Sequence, residues 1–182
     1  MKILKRQSIK TILTFAAMLI LFCVAPTVSA QKIQSQYTDL IGKKCKTIEE
    51  DTALYIADCP GITGYKLKVN DFDLRMSVTV IAPGGSEHRI DFDTAAFHSI
   101  GNKAEWRVKK EKDKIVPIAL IIRFNVQSNP ENPNDETSYL LVAKITVKEI
   151  CVVDKIKFTA DANVKARESA DKASSKSCLK QD

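Results

Sequence analysis

Apolar and polar residues alternate along much of the chain between residues 65 and 147, which is the pattern of β-strands that bury one face. The alternation changes phase at Asn70-Asp71 and again near Lys148-Glu149. Each change predicts a turn or a bulge, because it moves the apolar side chains to the other face of the sheet. We therefore expect successive antiparallel strands, whose first inward residues are Tyr65, Leu67, Val69, Phe72, Leu74, Met76, Val78 and Val80.

Turn signals separate these strands. Residues 83–85 read Pro-Gly-Gly and predict a tight turn, after which Ile90 and Phe92 alternate with charged residues. The charged run at residues 109–114 lies between two apolar runs and has alternating signs, so it predicts a solvated hairpin loop.

The segment 116–126 has apolar residues on both sides of its alternation, which predicts the most buried strand. Pro117 cannot donate a ladder hydrogen bond, so this strand should start after it or run along an edge there. Residues 127–137 hold two Asn-Pro pairs and predict a long polar loop. A strand over 139–147 should then return antiparallel, giving a hairpin at the centre of the sheet.

Helix-forming residues follow Asp161, which is a suitable N-cap. Alanines at 162, 166, 170 and 173 would form a narrow apolar stripe suited to close packing on a sheet. No internal repeat and no second domain are indicated. The predicted fold is α+β: a mainly antiparallel, strongly twisted β-sheet or partly closed barrel with a C-terminal helix.

The first thirty residues have the organisation of an export signal. A start with four basic residues is followed by an apolar stretch from 11 to about 24, and Val28-Ser29-Ala30 is a small-residue cleavage site. We predict a signal peptide over 1–30 and a single disulfide-stabilised β-rich domain over 31–182, periplasmic or secreted. An uncleaved anchor and a lipoprotein are the alternatives. The apolar stretch is short for a span, and Cys23 does not follow a small residue.

The net charge gives no support for a nucleic-acid partner. The leader holds four of the 28 Lys and Arg residues and none of the 22 Asp and Glu residues, so its removal lowers the formal charge from +6 to +2. The basicity of the whole chain therefore comes mainly from the leader, and neither nucleic acid nor an anionic membrane surface is expected as a partner.

Four cysteines remain after cleavage, namely Cys45, Cys59, Cys151 and Cys178. An exported chain folds in an oxidising compartment, where they should be paired. Three connectivities are open. Pairing each cysteine with its nearer neighbour in the sequence places the smallest demand on the path of the chain. The second of these bridges would tie the helix to the sheet. The sequence contains no Cys-x-x-Cys unit, so a zinc site is not expected.

Several short motifs occur in a fixed order along the chain. They are Tyr37-Thr38-x-Leu40, Glu49-x-Asp51, Cys59-Pro60-Gly61 with Gly64-Tyr65, Asp73-Leu74-Arg75, Phe97-x-x-Ile100-Gly101, Ala104-Glu105-Trp106-Arg107, and Cys151 followed by Asp161-Ala162-Asn163-x-x-Ala166-Arg167 and Cys178. Together they resemble an uncharacterised group of exported bacterial proteins, found mainly in Gram-negative species. The resemblance implies a secreted or periplasmic domain with two disulfides and no established activity, and it supports grouping Cys45 with Cys59. The lysine-rich strands and the longer 127–137 loop depart from this pattern.

Ser86, His88 and Asp91 are the residue types of a catalytic triad. They lie within six residues on one turn and strand, so they should not converge on one point. No catalytic residue is predicted from them.

Two carboxylate pairs at i, i+2 spacing, Asp71 with Asp73 and Asp91 with Asp93, are the residue types of a calcium site or of a glycosidase acid and base. Their apolar neighbours should occupy the core face, so we expect all four carboxylates to point into solvent. Neither a metal nor a cofactor is predicted.

Trp106 is in phase with Ala104 and should be a core residue, which places Glu105 and Arg107 on the opposite face. Together with Arg75, these two side chains would form a recognition surface or cross-strand ion pairs.

The sequence therefore predicts a non-catalytic envelope or periplasmic binding protein for a protein, a glycan or a small ligand. The first alternative is an inhibitor of a secreted hydrolase, a lysozyme or a protease, with the 127–137 loop as the inserting element. The second is a hydrolase that uses the surface carboxylates.

Overall fold

The computed structural model describes residues 32–129, 131, 132 and 135–180, so the predicted signal peptide lies outside the described residues. The described part contains one α-helix, α1 (Ala162–Asp171), followed by a 3-10 turn (Ala173–Ser175). Its strands are β1 (Ile33–Asp39), β2 (Lys46–Glu50), β3 (Leu54–Pro60), β4 (Lys66–Phe72), β5 (Arg75–Ile81), β6 (Glu87–Ile90), β7 (His98–Glu111), β8 (Lys114–Gln127), β9 (Glu136–Ile145) and β10 (Ile150–Lys157).

The strands form one sheet in the order β10-β9-β8-β7-β5-β4-β3-β2, with β1 beside β7 and β6 beside β5. The pairings are antiparallel except where Arg75 of β5 meets His98 of β7 in a parallel bridge. The predicted α+β fold with a twisted, mainly antiparallel sheet is confirmed. The sheet stays open and does not become a partly closed barrel.

The turn between β4 and β5 falls later than the change of phase indicates. β4 continues to Phe72, and Asp73 and Leu74 form a two-residue connection with positive φ angles of 53° and 60°, as a type I′ turn requires. Because Val69 pairs with Val78, inward residues are odd-numbered in β4 and even-numbered in β5. Phe72 and Leu74 are therefore exposed, and their predicted place in the core is wrong.

Other predicted turns are confirmed. Gly85 has φ +85° in the connection between β5 and β6. The charged run at 109–114 contains the hairpin between β7 and β8, where Glu111 pairs with Lys114. β8 and β9 form the predicted hairpin across the polar loop. Pro117 lies in the part of β8 that pairs with β7 alone, which is the edge position foreseen for it.

The main core joins inward residues from β4, β5 and β6 to those from β7 to β10. Trp106 is fully buried there, as predicted, and its Nε1 donates a 2.9 Å hydrogen bond to Oγ1 of Thr38. The larger members of this core include Leu67, Val69, Val78, Val80, Ile90, Leu120, Ile122, Phe124, Leu141 and Val152.

A second core lies under α1, on the other face of β8 to β10. The predicted alanine stripe is buried there against Ala119, Ile121 and Val142, which explains why β8 is apolar on both sides. Asp161 stands at the N-cap position, but its side chain makes no capping bond. Its carboxylate pairs instead with Lys165 and accepts a hydrogen bond from Thr159.

Two disulfides form, Cys45–Cys59 and Cys151–Cys178, which confirms the local pairing. The first joins the segment before β2 to the end of β3, and the second joins β10 to the segment after α1. Within the described part of the chain, no helix is long and apolar enough to cross a membrane.

Candidate functional site

A pocket of about 400 Å³ opens at one end of the sheet, where the β4–β5 turn, the start of β7 and the hairpin of β8 and β9 meet. This volume falls within the range of roughly 300 to 1,000 Å³ that is usual for small-molecule sites. The residues that line it are Asp71, Leu74, Met76, Phe97, His98, Ser99, Gln127 and Glu136.

Asp71 lines this pocket and is partly buried, because it shares the inward, odd-numbered phase of β4 with Leu67 and Val69. It is paired with Met76 on β5 and with Tyr55 on β3. Its Oδ1 is buried and has no hydrogen-bond partner among the described residues. The expectation that this carboxylate points wholly into solvent is therefore wrong. An unpaired buried acceptor costs about 1 to 3 kcal/mol, and more when it is charged.

Two apolar side chains form the outer wall of the pocket, and an arginine that does not line the pocket packs on one of them. Leu74 and Phe97 both line the pocket and keep 63% and 39% of their surface exposed. The guanidinium of Arg75 lies 4.7 Å from the centre of the Phe97 ring. Arg75 also forms an ion pair with Asp73 at 2.8 Å and donates to the carbonyl of Ala95. The charge of Arg75 is thus matched outside the pocket.

His98 closes the pocket on the core side with a buried ring. Nδ1 lies 2.8 Å from the carbonyl oxygen of Ala96, and Nε2 lies 3.2 Å from Oδ1 of Asp91. Both partners are acceptors, so the ring satisfies both contacts only when both of its nitrogens carry protons. Burial acts to lower the pKa of His98, but the hydrogen bonds to Asp91 and Ala96 outweigh it and raise the pKa.

Asp91 is the counterion of this histidine. Burial acts to raise its pKa, but hydrogen bonds from His98 and Arg89 prevail and lower the pKa to about 2. The carboxylate of Asp91 therefore pairs with the protonated ring, which lines the pocket, and with Arg89, which does not. Asp71 and Glu136 have no such partner in the lining, since none of the described residues that line the pocket is a lysine or an arginine.

Two further hollows have polar groups that are already engaged. One, near the start of α1, contains Glu105, which accepts hydrogen bonds from Arg167. The other, near the end of α1, contains Asp171, which accepts hydrogen bonds from Arg107. In each, an arginine satisfies the carboxylate, whereas Asp71 has no such partner. The pocket at the β4–β5 turn is accordingly the better candidate.

Glu105 and Arg107 lie on the face opposite Trp106, as predicted, but α1 covers that face. Nε and Nη2 of Arg107 lie 2.7 and 2.9 Å from the carboxylate of Asp171. Glu105 binds Arg167 in the same two-pronged way and also accepts from Ser35. Their side chains are only 12% and 10% exposed. These contacts clamp the helix to the sheet.

Arg75 is separated from these two residues along β7. It pairs with His98, seven residues before Glu105 and nine before Arg107. The three side chains are thus not brought together into one exposed surface.

The triad-type residues do not assemble. Oγ of Ser86 lies 3.1 Å from Nε2 of His88, but Asp91 binds Arg89 and His98 instead. His88 therefore lacks the carboxylate that would orient it.

One cluster of metal-ligating residue types occurs in the described residues, formed by Glu149, Cys151 and Cys178. The two sulfurs are joined in a disulfide, so they provide no thiolate to a metal.

Comparisons with protein-family models, with curated proteins and with solved structures find no match to this chain. The chemistry of the pocket is therefore argued from its own side chains. None of the eight described residues that line the pocket was predicted as a ligand-site residue. Asp71 was considered only as one of the carboxylates of a calcium site or of a hydrolase, and it carried a sequence signal because it continues the odd-numbered phase of β4.

Proposed function

We propose that the protein is an exported, non-catalytic binding protein, and that the pocket at the β4–β5 turn is its ligand site. The observation that carries the proposal is the carboxyl group of Asp71, a residue that lines an open cavity and whose buried Oδ1 has no hydrogen-bond partner among the described residues. A ligand that donates to this carboxyl group would match it, and apolar parts of the ligand would pack on Leu74, Met76 and Phe97.

The bonding within the pocket supports binding over catalysis. His98 has both ring nitrogens committed to acceptors, so it is not placed to take a proton from a nucleophile. Oγ of Ser99 accepts a hydrogen bond from the side-chain amide of Asn125 and, among the described residues, donates to no histidine or carboxylate that would act as a base. Among the described residues that line the pocket, no nucleophile is bonded to a histidine or a carboxylate.

Export is part of the same proposal. It is supported by the leader, by the two disulfides and by the resemblance to exported bacterial proteins. A periplasmic or secreted location would keep both bridges oxidised.

The test of the pocket is a ligand screen on residues 31–182 by two-dimensional NMR. We expect small amphipathic compounds to shift signals from Met76, Phe97 and Ser99, and Phe97→Ala to weaken this binding several-fold. Phe158→Ala is the matched control, because Phe158 is also an exposed ring under a guanidinium, that of Arg123, but lies outside the pocket. Equal losses in the two variants would contradict the assignment of the site.

A second candidate function is inhibition of a secreted hydrolase through the loop between β8 and β9. The base of this loop is braced, since the amide of Ser128 donates to the carbonyl of Asp135 at 2.7 Å and the hydroxyls of Ser128 and Thr137 are 2.8 Å apart. A braced loop loses little entropy on insertion into an active site. Removal of residues 129–135 should abolish inhibition of the target enzyme and leave the melting temperature nearly unchanged. Inhibition that persists would reject the loop as the site.

A further inference from the structure

We infer that the pocket takes a small organic cation, namely a protonated amine attached to an apolar body. This inference rests on the proposed function, because it specifies the ligand class of the same site. It follows from three features: the charges that line the pocket, the partly buried carboxylate that would accept a hydrogen bond, and the apolar side chains beside that carboxylate.

The described residues that line the pocket have more negative than positive charges. Asp71 and Glu136 contribute carboxylates, and the described lining contains no lysine or arginine. His98 also lines the pocket, but its ring is paired with Asp91, and the nearby Arg75 is paired with Asp73. Two carboxylates in the lining therefore outnumber one paired imidazolium, so the field inside the pocket favours a positive group.

The acceptor is the carboxylate of Asp71. This residue is partly buried, whereas Glu136 is exposed. An ammonium group that donates to the Asp71 carboxylate would form a charge-assisted hydrogen bond, which is roughly twice as strong as a neutral one. A hydroxyl would donate to the same carboxylate but would leave its charge unmatched.

The wall beside the acceptor is apolar and suits the rest of such a ligand. Leu74, Met76 and Phe97 provide aliphatic and aromatic surface around the cavity of about 400 Å³. A hydrated metal ion would gain nothing from these side chains, and calcium prefers six to eight oxygen ligands. An organic anion would meet two carboxylates and no lysine or arginine in the lining.

The experiment compares benzylamine, benzyl alcohol and benzoate, which share one ring and differ in the charge of the attached group. Dissociation constants are measured by NMR titration of residues 31–182 near neutral pH. We expect benzylamine to bind at least about tenfold more tightly than benzyl alcohol, and benzoate to bind least. Asp71→Asn should remove most of the advantage of the amine and change the affinity for the alcohol by less than about threefold.

Two controls keep the result specific. Asp58→Asn removes the same charge from an exposed position of β3 and should leave all three affinities unchanged. Glu136→Gln should weaken amine binding less than Asp71→Asn does, because Glu136 is exposed.

The outcomes separate this inference from the function on which it rests. If the amine and the alcohol bind equally, or Asp71→Asn weakens the binding of both alike, the preference for a cation is wrong. The pocket would still be a binding site in that case, provided that Phe97→Ala weakens the binding of both probes. If none of the probes shifts the signals of Met76, Phe97 and Ser99, both the ligand class and the proposed pocket are rejected.

Discussion

Nε2 of His98 lies 3.2 Å from Oδ1 of Asp91, and this buried contact joins the start of β7 to the segment after β6. Nδ1 of the same ring faces the carbonyl of Ala96, and the ring lies beside Phe124 with 5.9 Å between the ring centroids. The contact therefore stabilises the fold most when the ring is positively charged. Its stabilisation should depend on pH.

The first prediction concerns this dependence. The pKa of His98 is raised by folding, so the stabilisation is fully present below its unfolded value of about 6.5 and is lost as pH rises through the folded value. The lowered pKa of Asp91, about 2, adds stabilisation above the unfolded value of 3.8 that is lost as pH falls through about 2. The contribution of the pair is thus greatest between about pH 4 and about pH 6.5.

The measurement is the free energy of unfolding in urea from about pH 5 to about pH 9 for the wild type and His98→Gln. The difference between them should shrink as pH rises. His88→Gln is the control, since His88 contacts Ser86 at the surface and, within the described part of the chain, no carboxylate. A constant difference for His98→Gln would show that the ring acts by packing and not by charge.

The second prediction concerns the clamp between Arg107 and Asp171. Arg107→Ala should lower the free energy of unfolding by about 2 kcal/mol or more, because the guanidinium is largely buried, makes two short bonds to Asp171 and donates a third to Ser35. Lys109→Ala is the matched control on the same strand. Its 2.6 Å ion pair with Glu111 is more exposed, so the loss should stay below about 1 kcal/mol.

Denaturation in urea measures both variants. Similar losses for Arg107→Ala and Lys109→Ala would mean that the clamp contributes no more than a surface ion pair. Asp171→Asn should reproduce part of the Arg107→Ala loss, and the double variant should lose less than the sum of the single ones.

The strands and the helix could be predicted because their signals are local. β8 is apolar on both sides because one core lies on each face, and the small side chains of Ala162 and Ala166 let α1 approach the second face closely. The wrong placement of Leu74 has a backbone cause. A two-residue turn with positive φ reverses the chain there, whatever the hydrophobicity of the residue in it.

The candidate site was harder to predict because long-range contacts assemble it. The amide of His98 donates to the carbonyl of Leu74, which brings the start of β7 against the β4–β5 turn. No periodicity in residues 91–98 indicates this pairing. Likewise, the polar face that contains Glu105 and Arg107 was predicted, but the partners of these residues on α1 were not. The alanine stripe predicts which face of the helix packs on the sheet, and it does not show which charged residues of the helix reach Glu105 and Arg107.

The third prediction concerns the two disulfides. Each closes a loop, of 14 residues in one case and 27 in the other, so each should stabilise the fold by about 3 kcal/mol on the chain-entropy model. The Cys151→Ser, Cys178→Ser variant should lose amide protection chiefly in α1, because this bridge holds the segment that follows the helix. Hydrogen exchange followed by mass spectrometry measures the loss peptide by peptide.

The other bridge provides the comparison. Cys59 is 4% exposed and belongs to the main core, so Cys45→Ala with Cys59→Ala should reduce protection across β2 to β5 and not selectively in α1. If both pairs of substitutions loosened the same peptides, the proposed division between the two bridges would be incorrect.

The fourth prediction tests the carboxylate that defines the pocket. A buried charged oxygen without a hydrogen bond destabilises the folded state, so Asp71→Asn should raise the free energy of unfolding by roughly 1 kcal/mol in the absence of ligand. Residues that serve a function often lower the stability of a protein, so a gain in stability on substitution is expected at a binding residue. Urea denaturation measures the free energy of unfolding. The control Asp58→Asn, at an exposed position of β3, should alter this free energy by less than about 0.5 kcal/mol. If Asp71→Asn instead lowered stability by 1 kcal/mol or more, roughly the worth of one hydrogen bond, the carboxylate would hold the fold together and would no longer indicate a ligand.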